Sequence, residues 1–264
     1  MNFSIFQMDI VPGDPQANRT NVNQWIHKEM MHNSPDTIVL PEMWTTAYTL
    51  SDLERIADQD GEPTMPFIQN LASKYQVNII AGSIANKKSD GIFNTAFVVD
   101  RQGEIVYQYD KAHLVPMLNE PSYLEGGKKP AEVFELDGLK FGLIVCYDLR
   151  FPELIRPLAV AGAQVLCIVA EWPEARTNHW QHLQIARAIE NQMYVVSSNR
   201  IGTYDGTEFC GKSMIVNPWG EVLKLGSQDQ EEVLSLTIEL EKVDEVRKNV
   251  PIFDSRVPHL YKHD

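Results

Sequence analysis

The stretch Leu139-Lys140-Phe141-Gly142-Leu143-Ile144-Val145-Cys146-Tyr147-Asp148-Leu149-Arg150-Phe151-Pro152-Glu153 decides how the chain is read. The run Leu139 to Val145 has the length and apolar character of a strand, and Pro152 suits the first turn of a helix, so Cys146 stands at a strand-to-helix corner. Such corners carry sites in α/β proteins, because ligands bind beyond the carboxyl ends of strands and a nearby helix N-terminus favours a thiolate. Two readings of Cys146 stay open at this point: a nucleophile, or a buried and inert core thiol.

Outward from that corner, strand-like runs recur at Phe3 to Met8, Thr37 to Leu40, Val77 to Ala81, Thr95 to Val99, Ile105 to Tyr109, Val165 to Ala170 and Tyr194 to Ser198. Helical patterns lie between several of them, at Gln16 to Met31, Pro66 to Lys74, Pro152 to Ala161 and Asn178 to Met193. This alternation predicts an α/β protein. Two hairpins are expected, Thr95 to Tyr109 around Asp100-Arg101-Gln102-Gly103 and Ser213 to Leu225 around Asn217-Pro218-Trp219-Gly220, making a sheet of mixed direction. With no Ser/Gly linker, low-complexity tract or repeat, the pattern predicts a single domain over residues 1–264. The tail from Glu241 to Asp264 opens as a short helix and then keeps Pro251, Phe253, Pro258, Leu260 and Tyr261 without periodicity. It is expected to dock on its own body or on a partner subunit.

Composition narrows the function classes. The 264 residues carry 36 acids against 23 Lys plus Arg, a formal charge of −13 and a pI near 5.0, with 44% apolar and 22% charged side chains. That balance, without a basic run, argues against nucleic acid or an anionic membrane as the partner. Three cysteines form neither an even disulfide framework nor a C-x-x-C pair, and no cationic leader or membrane-length apolar run occurs, so a reducing, cytoplasmic setting is expected.

Cys167, inside an apolar run, and Cys210, with no activating neighbour, read as structural. A thiol nucleophile needs a base, and the histidines are poor candidates. His27, His32, His259 and His263 are expected to face solvent, while His113, His179 and His182 fall near other polar residues. His179 and His182 have an i, i+3 spacing but no third ligand beside them. A buried carboxylate with an adjacent ammonium can do the same work. Glu42, at the exit of Thr37-Ile38-Val39-Leu40-Pro41, and Lys111, after Tyr107-Gln108-Tyr109-Asp110, fit that pair, although each alone reads as an ordinary surface charge.

Leu40-Pro41-Glu42, Tyr109-Asp110-Lys111-Ala112-His113-Leu114 and Cys146-Tyr147-Asp148-Leu149-Arg150-Phe151-Pro152-Glu153 together resemble the nitrilase superfamily of carbon-nitrogen hydrolases, from the first strand to the hairpin at Asn217-Pro218-Trp219-Gly220. The resemblance implies a four-layer α-β-β-α sandwich and a homodimer. It implies that Glu42 is the general base, Lys111 and the backbone N–H of Tyr147 bind the oxyanion, Cys146 is the nucleophile, and Glu120 positions Lys111 and the amide. Neither cofactor nor metal is required by that chemistry. The segment Ala170-Glu171-Trp172-Pro173-Glu174-Ala175-Arg176, with His179-Trp180 and Ala186-Arg187-Ala188-Ile189-Glu190-Asn191-Gln192, looks like the omega-amidase branch, which deamidates 2-oxoglutaramate and 2-oxosuccinamate. One departure is Glu171, where that branch is expected to carry Asn; an extra carboxylate would repel an anionic substrate. Arg176 is the candidate grip for a substrate carboxylate, since its planar fork binds bidentately. Trp172 and Tyr48 are candidate pocket walls, and Arg187 with Glu190 reads as a structural ion pair. The alternatives are an N-carbamoyl amino acid or aliphatic amide hydrolase with the same three residues and, from another class, a catalytically silent partner protein with a redox-sensitive thiol.

Overall fold

The computed structural model describes residues 1–261; His263 and the end of the tail lie outside them. The first half runs β1 (Asn2–Gln7), α1 (Pro15–His32), β2 (Thr37–Val39), α2 (Leu53–Ile56), β3 (Asp58–Gln59), α3 (Thr64–Tyr75), β4 (Asn78–Lys88), β5 (Gly91–Val99) and β6 (Ile105–Asp110). The second runs β7 (Phe134–Leu136), β8 (Leu139–Val145), α4 (Pro152–Val160), β9 (Val165–Ala170), α5 (Thr177–Asn191), β10 (Tyr194–Asn199), β11 (Thr203–Tyr204), β12 (Thr207–Glu208), β13 (Met214–Val216), β14 (Val222–Leu225), β15 (Glu232–Thr237) and α6 (Glu241–Asn249).

The strands form the two sheets that the four-layer resemblance implies, each of mixed direction. One has the order β15-β1-β2-β4-β5-β6, with β3 beside β4, and the other β14-β13-β10-β9-β8-β7. Each centres on three parallel strands joined through helices and is extended by antiparallel neighbours. Each predicted hairpin lies in a different sheet, because apolar residues on both faces of the central strands demand cover on both sides. Phe3, Ile5, Val39, Ile80 and Val98 meet Leu143, Val145, Cys167, Val169 and Val196 between the sheets. On the outer face of the first sheet, Phe6, Ile38, Leu40, Ile79 and Phe97 pack on Val22 and Ile26 of α1 and Ile68 and Leu71 of α3. Ile155 and Leu158 of α4 and Ala188 of α5 cover the second sheet. The result is the four-layer α-β-β-α sandwich.

Local chemistry places the helices as the sequence suggests. Asp14 caps α1, its Oδ1 accepting the Ala17 N–H at 2.9 Å, and Pro15 fills the first turn. Several strands differ from expectation, the short β3, β7, β11 and β12 among them. β4 continues past Ala81 to Lys88 and pairs with β5, and β15, absent from the predicted set, pairs antiparallel with β1. The tail's helix docks on the chain's own body: Val243 and Val246 are buried, and Arg247 donates to the Ala163 carbonyl. Val257, Leu260 and Tyr261 are exposed.

Candidate active site

Six strands end in charged or nucleophilic residues at one edge of the sandwich. Asp9 lies just beyond β1, Glu42 beyond β2, Lys111 directly after β6, Cys146 after β8, Glu171 after β9 and Arg200 after β10. The first three come from one sheet and the last three from the other, so the cleft lies where the two sheets meet.

Glu42 is fully buried, yet both its oxygens are satisfied. Oε1 accepts from Tyr48 Oη at 2.8 Å, Asn94 Nδ2 at 2.8 Å and Lys111 Nζ at 2.9 Å, and Oε2 accepts the Glu171 backbone N–H at 2.8 Å. Its loop needs Gly82 on β4, at φ +61°, since a Cβ there would stand 1.9 Å from the Pro41 carbonyl oxygen. Lys111 Nζ also donates to Glu120 Oε1 at 2.8 Å and to Tyr48 Oη at 3.1 Å. Glu120 is held in turn by the Val115 N–H on Oε2 at 2.7 Å. Burial alone would push Lys111 down, but Glu42 and Glu120 outweigh it and hold the ammonium well above the usual lysine range.

Cys146 has φ +46°, a left-handed backbone uncommon for a non-glycine residue, at the start of a 3-10 turn running to Arg150. The expectation of a helix-favoured thiolate is corrected here. The α-helix begins only at Pro152, and burial together with Glu42 raises the thiol well above its ordinary value, with Lys111 pulling the other way. Cys146 therefore rests as a thiol and needs a base. Asp148 ties this corner to the lysine loop: Oδ2 accepts from the Val145 N–H and Tyr109 Oη, and Oδ1 from the N–H and Nδ1 of His113. His113 thus serves Asp148 rather than the thiol, and its ring stacks on Phe151 at 3.6 Å.

Cys146, Tyr147, Arg150, Glu171, Trp172 and Arg176 line one small cavity. Trp172 lines the cavity, and its Nε1 donates to the Arg176 carbonyl at 2.9 Å. Tyr48 lines a neighbouring cavity instead, and its hydroxyl sits on Glu42 and Lys111. Arg176 stands at the mouth beside Arg150, which sequence reasoning misses as a site residue. The Arg150 guanidinium lies 4.7 Å from the Trp172 ring centroid, and its Nη1 stands 3.2 Å from His179 Nδ1. His182 Nδ1 donates to the Asn178 carbonyl at 2.7 Å. The Arg187–Glu190 pair forms at 2.8 Å, and Arg187 also donates to the Leu149 carbonyl.

Glu171, expected to repel an anionic substrate, is buried and paired. Its Oε2 is paired with Arg200 Nη1 at 3.0 Å, and burial, opposed by Arg200 and reinforced by Glu42, pushes its carboxyl up to about 8. Burial thus favours its protonated form over the carboxylate. Asn94, Arg200, Asp9 and Asp148 do not stand out as site residues in the sequence. For Arg200 and Asp9 the available signal is a charge just past an apolar strand, and it becomes specific only once the strands share an edge. Cys167 is buried inside β9, and Cys210 is buried with Asn199 Nδ2 on its sulfur at 3.3 Å.

The carbon-nitrogen hydrolase family profile matches residues 3–248. A protein named 2-oxoglutaramate amidase from Bacillus subtilis is 43% identical over 258 residues, covering 98% of each chain. A "hydrolase in agr operon" from Staphylococcus lugdunensis is 52% identical over 88% of this chain and all of its own, and an omega-amidase from Yersinia enterocolitica is 33% identical over 96% of this chain and 95% of its own. Among solved structures, a carbon-nitrogen hydrolase superfamily protein from Xanthomonas campestris, with an arsenic adduct in its active site, superposes with a TM-score of 0.91. It is 26% identical, over 100% of this chain and 99% of that one.

Proposed function

The chain belongs to the carbon-nitrogen hydrolase family, and on that footing we propose that it is an omega-amidase, cleaving the terminal amide of 2-oxoglutaramate or 2-oxosuccinamate with release of ammonia. The observation that carries the reading is the buried Lys111 held between Glu42 and Glu120 beside a protonated Cys146, in a chain 43% identical to a 2-oxoglutaramate amidase.

Glu42 takes the Cys146 proton as the sulfur attacks the amide carbonyl. The new C–S bond leaves a tetrahedral oxyanion, held by Lys111 Nζ and the Tyr147 backbone N–H. The Lys111–Tyr48 contact, at 3.1 Å the longest of the lysine's three, is the one the oxyanion displaces. Glu42 returns the proton to the departing nitrogen, the C–N bond breaks, and ammonia leaves a thioester on Cys146. Glu42 then deprotonates a water that attacks the thioester, releasing the carboxylate product and restoring the thiol. Glu120 keeps Lys111 in place throughout. Arg176 and Arg150 supply positive charge at the mouth for the substrate carboxylate, without which an acidic protein would repel it.

The unit acts as one domain in the cytoplasm and as a homodimer. Val222, Leu223 and Leu225 on the edge strand β14, with Leu260 and Tyr261 of the tail, expose apolar surface suited to a second copy. Sedimentation at micromolar concentration tests that, and a monomer would exclude it. The substrate is tested by ammonia release from 2-oxoglutaramate, 2-oxosuccinamate, N-carbamoyl amino acids and simple aliphatic amides, with Cys146→Ala as blank. Preference for the 2-oxo amides is expected; turnover of carbamoyl or aliphatic amides alone would discard that substrate class.

A further inference from the structure

Glu171 follows β9 directly and enters the cavity that holds Cys146, and its side chain is wholly buried. Its two oxygens are treated differently. Oε2 is fixed by Arg200, itself anchored by Asp9 Oδ1 at 2.7 Å and by the carbonyls of Ile10 and Ile201. Oε1 has no hydrogen-bond partner. Buried polar atoms are nearly always paired, so an unpaired one at a ligand cavity marks a bond that the ligand completes.

We propose that Glu171 is a substrate-contacting, specificity-determining residue, donating a hydrogen bond from Oε1, in its carboxylic acid form, to an acceptor oxygen on the substrate's acyl chain beyond the scissile carbonyl. This rests on the omega-amidase reading of the same site. Apart from its amide N–H groups, a 2-oxo ω-amide offers only acceptors there, a keto oxygen and a carboxylate. An ionised Glu171 would face them with a like partial charge, whereas the acid complements them.

The groups facing Glu171 support the protonated state. Arg200 pairs with one oxygen, Glu42 takes its backbone N–H, and Lys111 lies beyond Glu42. Cys146, Arg150 and Arg176 line the cavity with Glu171, and the hydroxyls of Tyr48 and Tyr204, on the wall of a neighbouring cavity, lie near enough to feel its charge. Burial is the first cause of the rise in the Glu171 carboxyl to about 8, and it also lifts Cys146, Tyr48 and Tyr204 above their ordinary values. Those three keep their protons through the range in which Glu171 titrates.

The test compares wild type, Glu171→Gln and Glu171→Leu by kcat and KM for 2-oxoglutaramate, from about pH 6 to about pH 10. Glu171→Leu is expected to raise KM about 10- to 100-fold with kcat within about threefold, because the lost bond acts on bound substrate and transition state alike. Glu171→Gln offers an N–H in the same place, so it is expected to stay within about threefold of wild type near neutrality. It should also keep its kcat/KM above pH 8, where the wild type declines as Glu171 ionises. An unchanged KM in Glu171→Leu, or identical pH profiles for wild type and Glu171→Gln, would overturn the proposal. If Glu171→Leu does not fold, the two remaining profiles decide it. Folded wild type that leaves 2-oxoglutaramate intact overturns the substrate reading instead, and the same comparison then runs on the panel amide it does hydrolyse.

Discussion

The exits of β2 and β9 solve one problem in opposite ways. Each parallel strand delivers a wholly buried carboxylate, Glu42 or Glu171, to the same cleft, and each carboxylate is paired with a buried cation, Lys111 or Arg200. The two are joined through the Glu171 N–H on Glu42 Oε2. Glu42, however, accepts four hydrogen bonds, while Glu171 leaves one oxygen empty. A saturated carboxylate is pre-organised, its geometry set before substrate arrives; an unsaturated one is completed by what binds. Burial fixes neither role by itself. The number of partners does.

The sharpest break of this comparison removes the group both exits serve. Cys146→Ala should fold normally and lose at least about 10⁴-fold in ammonia release, since no covalent route remains; wild-type turnover in that variant would refute the mechanism. Lys111→Ala comes next. It strips the cation from between two buried carboxylates, so it should abolish turnover and also lower stability by about 3–5 kcal/mol in urea unfolding. Glu42→Gln keeps the shape but cannot take the thiol proton, and a fall of about 10²- to 10⁴-fold in kcat is expected with little change in Tm.

Glu171→Gln separates the second exit from the first through stability. Below about pH 4.3, the ordinary glutamate value, the carboxyl is protonated in folded and unfolded chains alike. Between there and about 8 the folded protein holds a proton that the unfolded chain has lost, so wild-type stability falls as pH rises and levels off above. The variant lacks that slope, and its Tm should gain on the wild type from the acid side up to about pH 8. A difference that stays constant with pH would contradict a raised carboxyl. The smallest effect is expected from Tyr48→Phe, which deletes one of Glu42's four bonds and should cost about 1 kcal/mol, or about fivefold in kcat/KM.

Much of the cleft is legible in the amino-acid sequence. Glu42, Lys111, Glu120 and Cys146 each sit in or beside short motifs, and motif order alone nominates them. Tyr48 reads as a wall because nothing in Thr45-Thr46-Ala47-Tyr48 says that its hydroxyl reaches Glu42. Asn94 lies mid-strand in β5, where side chains alternate between faces and an Asn reads as an ordinary interruption.

Local pattern in the chain is enough for the alternation of strands and helices, the strand-to-helix corner at Cys146, the acidic net charge and the family, because periodicity and short motifs are properties of neighbouring residues. Tertiary structure alone decides the order of the strands within each sheet, that β15 closes onto β1, that the Cys146 thiol is raised rather than lowered, and that Arg200 pairs with Glu171. Those outcomes depend on partners far apart in sequence and on water being excluded around them. Glu171 N–H meets Glu42 across 129 residues, and Arg200 meets Asp9 across 191. Desolvation and long-range pairing are set by packing, and packing exists only once the chain has folded.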